Sequence, residues 1–240
     1  MVYTRAEILV LPIAFLVMVG VSALLRIVLI EKPQRLQDLP FLVIAVAVLL
    51  LEFIKQTRNI LRGYDTWSIP LHYCSTFAFW FPLAEFSRGK MRKRMQNVAF
   101  CFSFCLLLCF YFGPRCIMGG ACENIFGSFN SFHTFFYHHL ALVYCILGIV
   151  FKRFQPSKQD GWLWIICTSV YFSLAVIFGF IFRTNYFNVL YSDIPFMEKF
   201  RVQCGQTVYL LFFSALLLWG GASIFWLSAR RKKNTPQNNV

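Results

Sequence analysis

The stretch Ser68-Ile69-Pro70-Leu71-His72-Tyr73-Cys74-Ser75 carries an imidazole, a thiol and a hydroxyl into an otherwise apolar run. Such groups support general base catalysis, attack by a thiolate, or the holding of a ligand. Other apolar runs carry polar groups near their ends. These are Glu52, Lys55 and Gln56; His133, His138 and His139; and Arg183-Thr184-Asn185-Tyr186. Glu52, Lys55 and Gln56 are spaced i, i+3, i+4, so on a helix they share one face and satisfy one another. Two roles fit that triplet: a salt bridge snorkelling to the lipid headgroups, or orientation of a histidine on a neighbouring helix by Glu52.

Helical phase limits what the opening stretch can do. Ser75 and Thr76 follow His72 at helical spacing, whereas Cys74 stands about 200° round the axis from it. A His72–Cys74 dyad therefore needs a distorted turn, for which Pro70 is well placed. Activation of Cys74 by a histidine of another helix is the alternative. The plainer roles are packing for Cys74 and an interhelical hydrogen bond for His72. His138 and His139 are adjacent, about 100° apart, so at most one points squarely into a shared cavity. A metal site needs about three converging ligands; no HxxxH or CxxC spacing supplies them, and no metal or other cofactor is expected. Cys101, Cys105 and Cys109, at i, i+4 and i+8, read as a helix-packing face. Cys116 and Cys122 flank a Met-Gly-Gly-Ala turn and are candidates for a loop disulfide.

These residues need elements to carry them. Of 240 residues, 58% are hydrophobic and only 14% charged, against about 25% charged in soluble domains. Apolar runs of membrane-crossing length recur along the chain. The reading is an all-α, polytopic membrane protein with seven transmembrane helices, near 8–30, 39–56, 66–86, 96–113, 131–151, 161–182 and 206–227. Residues 1–228 form one transmembrane domain, and 229–240 a basic, polar cytoplasmic tail. The first run lacks a small-residue cleavage site and reads as a retained span. The net charge of +13 would suit nucleic acid, but the basic residues sit between apolar runs rather than on one stripe, so nucleic-acid binding is not expected.

Lys and Arg concentrate in and beside alternate connections: Arg26, Lys32 and Arg35; Arg88, Lys90, Arg92, Lys93 and Arg94; Lys152, Arg153 and Lys158; and Arg230 to Lys233. By the positive-inside rule these are cytoplasmic, which puts the N-terminus outside and the C-terminus inside. The polar groups named above then fall in the outer part of the membrane, with His72 roughly 9 Å below the outer end of its span. The inner halves read as nearly free of ionisable groups. Membrane lipids are the expected partners; oligomeric state is not legible.

The chain resembles the YwaF-like integral membrane proteins, largely bacterial. The matching pieces are Glu52-Phe-Ile-Lys55-Gln56, Pro70-Leu71-His72-Tyr73-Cys74-Ser75, a span-five histidine that by register is His139, and Thr184-Asn185-Tyr186. Order and spacing agree from about residue 40 to 228; the stretch Met197 to Gln203 departs from the pattern. The resemblance implies an integral protein of a bacterial plasma membrane. Through distant eukaryotic seven-helix relatives it implies a phospholipid acyltransferase, with Cys74 as nucleophile, His139 or His72 as base and Glu52 or Asn185 as orienter. Asn185 and Gln56 would donate to the oxyanion, while Lys55, Ser75, His138 and Tyr186 complete the pocket. The alternative is a non-enzymatic transporter or receptor in which His72, His139 and Glu52 relay protons or hold a ligand.

Overall fold

The computed structural model describes residues 4–113 and 117–234, so Cys116 and the disulfide considered for it lie outside the described residues. The described residues are helical, with no strand among them. Helix α1 (Arg5–Leu29) starts in a capping box, in which Glu7 N–H donates to the Thr4 hydroxyl and the Glu7 carboxylate accepts from Thr4 N–H. The others are α2 (Gln34–Leu61), α3 (Phe77–Phe86), α4 (Gly89–Phe112), α5 (Phe129–Val150), α6 (Lys158–Phe182), α7 (Pro195–Cys204) and α8 (Gln206–Asn234). Ser128 caps α5, and a Ser157–Asp160 capping box opens α6. Six of these helices are long and apolar enough to cross a membrane: α1, α2, α4, α5, α6 and α8.

The run at 66–86, expected as one continuous helix, is regular only over the ten residues of α3. Before it come a 3-10 turn at Thr66–Ser68, an irregular bend at 69–73 and a second 3-10 turn at Cys74–Thr76. Pro70 explains the break, because it has no N–H to give to the residue 66 carbonyl. Ile69 N–H takes that carbonyl instead, at 3.1 Å, and closes the first turn early. A second departure is α7, inside what reads as the longest connection. Its signals are Pro195 at the first helical position and Gly205 just past the end, at φ +86°. The α7 residues Glu198 and Arg201 form an ion pair that holds the Glu198 carboxyl down at about 2.

The chain divides into two compact units: Met1–Pro70 with Cys74–Phe154, and Leu71–Tyr73 with Gln155–Val240. In the first, α5 packs against α1, α2 and α4, and α3 against α2 and α4. Two-thirds of the α5 span is buried, against 11% for α1, so α5 is the core helix and α1 a lipid-facing one. In the second unit α6 packs along α8. Gly221 lets the Trp164 ring lie on the α8 backbone, where a Cβ would overlap it. Gly161 admits Trp226, whose Nε1 would come 2.9 Å from an added Cβ. Small residues at a helix crossing are what close packing in lipid requires.

Candidate functional site

In the first unit the polar groups collect around the C-terminal end of α2. Glu52 is buried, and its carboxylate accepts from Lys55 Nζ at 3.1 Å and from Gln56 Nε2 at 2.6 Å. The i, i+3, i+4 spacing thus brings these three together. Gln56 also donates to the Ser68 carbonyl at 2.6 Å and accepts from the Tyr64 hydroxyl at 2.9 Å, so both ends of its amide are engaged. Gln56 is thus a clip: it donates both to Glu52 and to the Ser68 carbonyl, which pins the start of the next segment. His133, near the start of α5, brings its Nε2 to 3.7 Å from the other Glu52 oxygen. Lys55 is an electrostatic neighbour of His133, His138 and Cys74, and Glu52 of Cys74. Cys74 is half-buried. The next residue, Ser75, is buried and accepts at its carbonyl from the Tyr137 hydroxyl at 3.4 Å, which ties this turn to α5.

The α5 backbone sets the histidine tautomers. His138 Nδ1 lies 2.6 Å from the Thr134 carbonyl, and His139 Nδ1 lies 2.7 Å from the Phe135 carbonyl. A carbonyl only accepts, so each neutral ring carries its proton on Nδ1 and leaves the Nε2 lone pair bare. The Nε2 atoms of His133, His138 and His139 are all buried without a hydrogen-bond partner. Their surroundings differ. His139 stacks on Phe135, with ring centres 4.0 Å apart, and meets the edge of Phe110 on α4. His133 stacks on Tyr137 at 5.0 Å. Of the two adjacent histidines, His138 has Lys55 as a neighbour, while His139 lies in an aromatic slot. His133 was not singled out by spacing; its signal is position, an imidazole one turn into the helix that meets α2. Among the described residues, no three His, Cys, Asp or Glu side chains are arranged to hold a metal ion.

In the second unit, His72 sets its ring edge-on to Tyr186 at 5.1 Å, and Tyr73 meets Phe187 at 5.5 Å. Tyr186 is buried. Asn185 is spent on its own loop. Its oxygen accepts from the N–H groups of Leu190 (2.9 Å) and Tyr191 (3.2 Å), and its nitrogen donates to the Tyr191 carbonyl at 3.1 Å and to Asn188. In this structure it acts as a loop-former. The loop it holds is strained: Arg183, Phe187 and Asn188 all take positive φ between 53° and 58°. For Phe187 that conformation costs about 1–2 kcal/mol. Ring contacts to Tyr73, Tyr171 and Phe172 hold it there.

At the opposite end of the first unit lies a second polar cluster, of whose charged groups only Glu85 falls within an expected span. The Glu85 side chain is fully buried and accepts from the Tyr144 hydroxyl at 2.8 Å. Arg92 reaches Asp38 at 2.9 Å and Glu85 at 3.2 Å; Arg153 reaches Asp38 at 3.3 Å and Glu85 at 3.2 Å. Arg153 also lies over the Phe41 ring, 3.9 Å from its centre. Two carboxylates and two guanidiniums, crossed over, make a neutral knot of α2, α3, α4 and the end of α5. The signal in the sequence was Glu85 itself, a lone acid in the apolar run Phe77–Phe86.

Against known proteins, the model of the TMEM164 family matches residues 2–230, nearly the whole chain. The chain belongs to the TMEM164 family. It is accordingly an integral, multi-pass membrane protein that contacts lipid along its apolar helices. No curated protein and no solved structure matches it. The family match carries neither the YwaF-like part of the resemblance nor acyl transfer.

Proposed function

We propose that the chain crosses the bilayer seven times, with its N-terminus outside, and transfers acyl chains between membrane lipids at the cluster around Glu52, Lys55, His138 and Cys74. The third crossing is the segment 66–86. Gln56 near the end of α2 holds Ser68, while Asp38 near the start of α2 shares Arg92 with Glu85. The segment therefore runs the length of α2, about 27 Å at 1.5 Å per residue, in the opposite direction. Irregular backbone at that depth is tolerated where protein shields it, and Leu71, Ser75 and Thr76 are buried.

The observation that carries the chemistry is the bare, buried Nε2 of His138 on a helix tied to the Cys74–Ser75 turn, with Lys55 a neighbour of both His138 and Cys74. In the step proposed, His138 Nε2 takes the Cys74 proton and the sulfur attacks the ester carbonyl of a phospholipid. The ester C–O bond breaks, the lysolipid oxygen takes the proton back from His138, and the acyl group stays on Cys74 as a thioester. A second lysolipid hydroxyl then reverses these events, with the proton again passing through Nε2. Lys55 stabilises the charge developing on sulfur, and Glu52 holds Lys55.

Transfer of a fluorescent acyl chain from phospholipid to lysophospholipid in proteoliposomes tests this. Cys74→Ala and His138→Ala each lower the rate by about 10²-fold or more, and His139→Ala lowers it by less than about tenfold. Full transfer by Cys74→Ala overturns the reading. The 3.7 Å approach of His133 to Glu52 favours the alternative of a proton- or ligand-binding protein. That reading gains if Cys74→Ala is silent while Glu52→Gln abolishes function.

A further inference from the structure

The last turns of α2 present a groove of about 290 Å³ lined by Phe53, Ile54, Thr57, Arg58, Leu61 and Arg62. Its walls are apolar and open to the surroundings, with Phe53 67% and Leu61 80% exposed. Its polar edge is cationic. Arg58 and Arg62 sit at i and i+4, a spacing at which like charges on a helix repel. Among the described residues neither has an acid within ion-pairing distance. The nearby carboxylates are occupied: Glu52 by Lys55 and Gln56, and Asp65 by the N–H of Trp67. Arg58 is steadied by the Phe129 ring, 4.7 Å from its guanidinium carbon, a contact that orients the guanidinium and leaves its charge uncompensated. The helix C-terminus favours cations there but supplies only a partial charge.

We infer that this face of α2 is a phospholipid-binding site, in which Arg58 and Arg62, with the Thr57 hydroxyl, grip the headgroup phosphate and an acyl chain lies along Phe53, Ile54 and Leu61. Charge complementarity selects the occupant: two adjacent guanidiniums with no carboxylate, at the end of a membrane-crossing helix, match a phosphodiester at headgroup level. The apolar floor commits the site to a lipid-borne phosphate rather than a free one. The inference stands apart from the chemistry proposed at Cys74, and neither arginine belongs to that cluster.

The test is native mass spectrometry of the full-length protein in detergent, titrated with phosphatidylglycerol, with diacylglycerol of the same chains, and with inorganic phosphate. Arg58→Gln with Arg62→Gln is expected to weaken phosphatidylglycerol binding about tenfold or more, to leave diacylglycerol binding unchanged, and to retain wild-type helicity by circular dichroism. The double lysine variant recovers part of the loss. Equal phosphatidylglycerol binding by the wild type and the glutamine variant overturns the site. Displacement of the lipid by inorganic phosphate at equal concentration overturns its assignment to a lipid, as does an equal loss of diacylglycerol binding.

Discussion

Replacing Lys55 by methionine leaves the Glu52 carboxylate buried, with the Gln56 amide as its remaining close donor and His133 beyond hydrogen-bond length. An unpaired buried carboxylate costs about 3–5 kcal/mol. Lys55→Met should therefore lower the unfolding free energy in mixed micelles by about 2–3 kcal/mol, since Lys55 is partly exposed and water relieves some of the loss. Glu52→Gln in the same background should restore most of it; a double variant as unstable as Lys55→Met contradicts the pairing. At this scale the sequence was informative where spacing alone decides contact, as for Glu52, Lys55 and Gln56. It was silent on Asn185 and on the second N–H of Gln56, because there the main partners are backbone carbonyls and N–H groups that no residue code announces. It favoured His139 over His138 by register, and only the three-dimensional neighbours separate the two rings: Phe110 and Phe135 for one, Lys55 for the other.

Among the elements, six long helices were legible because an apolar run of 20 or more residues has few other fates. The broken lead-in to α3 was less so. Pro70 marks a weakened turn, but that the chain would leave the helix over 69–73 depended on Gln56 taking the Ser68 carbonyl. Helix α7 was hidden by its weak apolar content, although Pro195 and Gly205 bracket it. The α6–α8 crossing depends on glycine. Gly221→Leu should drive a side chain into the Trp164 ring and cost about 1–3 kcal/mol. Gly220→Leu, one residue away, meets nothing within 4 Å and should cost less than about 1 kcal/mol. Thermal unfolding of the two variants compares them directly; equal midpoints would mean the α6–α8 packing is wrong.

At the scale of the molecule, the first unit has a polar cluster at each end. The Asp38–Glu85–Arg92–Arg153 knot joins elements that are far apart in sequence, which is why composition did not reveal it. Arg92 and Arg153, counted in the sequence only as part of the basic side, are both paired with acids. Arg153→Met should destabilise by about 3–5 kcal/mol, and adding Glu85→Gln should recover part of that loss rather than add to it; strict additivity in denaturant titrations would argue against a shared network. The proposed topology places the connection after α6 outside, and Cys204 is exposed there. A membrane-impermeant maleimide applied to intact cells should label Cys204, and Cys204→Ser should lose that label. Labelling only after permeabilisation reverses the orientation.

The measurement that bears most directly on the account is peptide mass spectrometry of the purified protein after incubation with a phospholipid bearing an isotopically labelled acyl chain. The expected result is a labelled, hydroxylamine-sensitive thioester on the peptide containing Cys74, absent from Cys74→Ala and strongly reduced in His138→Ala. Acyl transfer in the same sample with no adduct at Cys74, or an adduct of equal yield in His138→Ala, would contradict it.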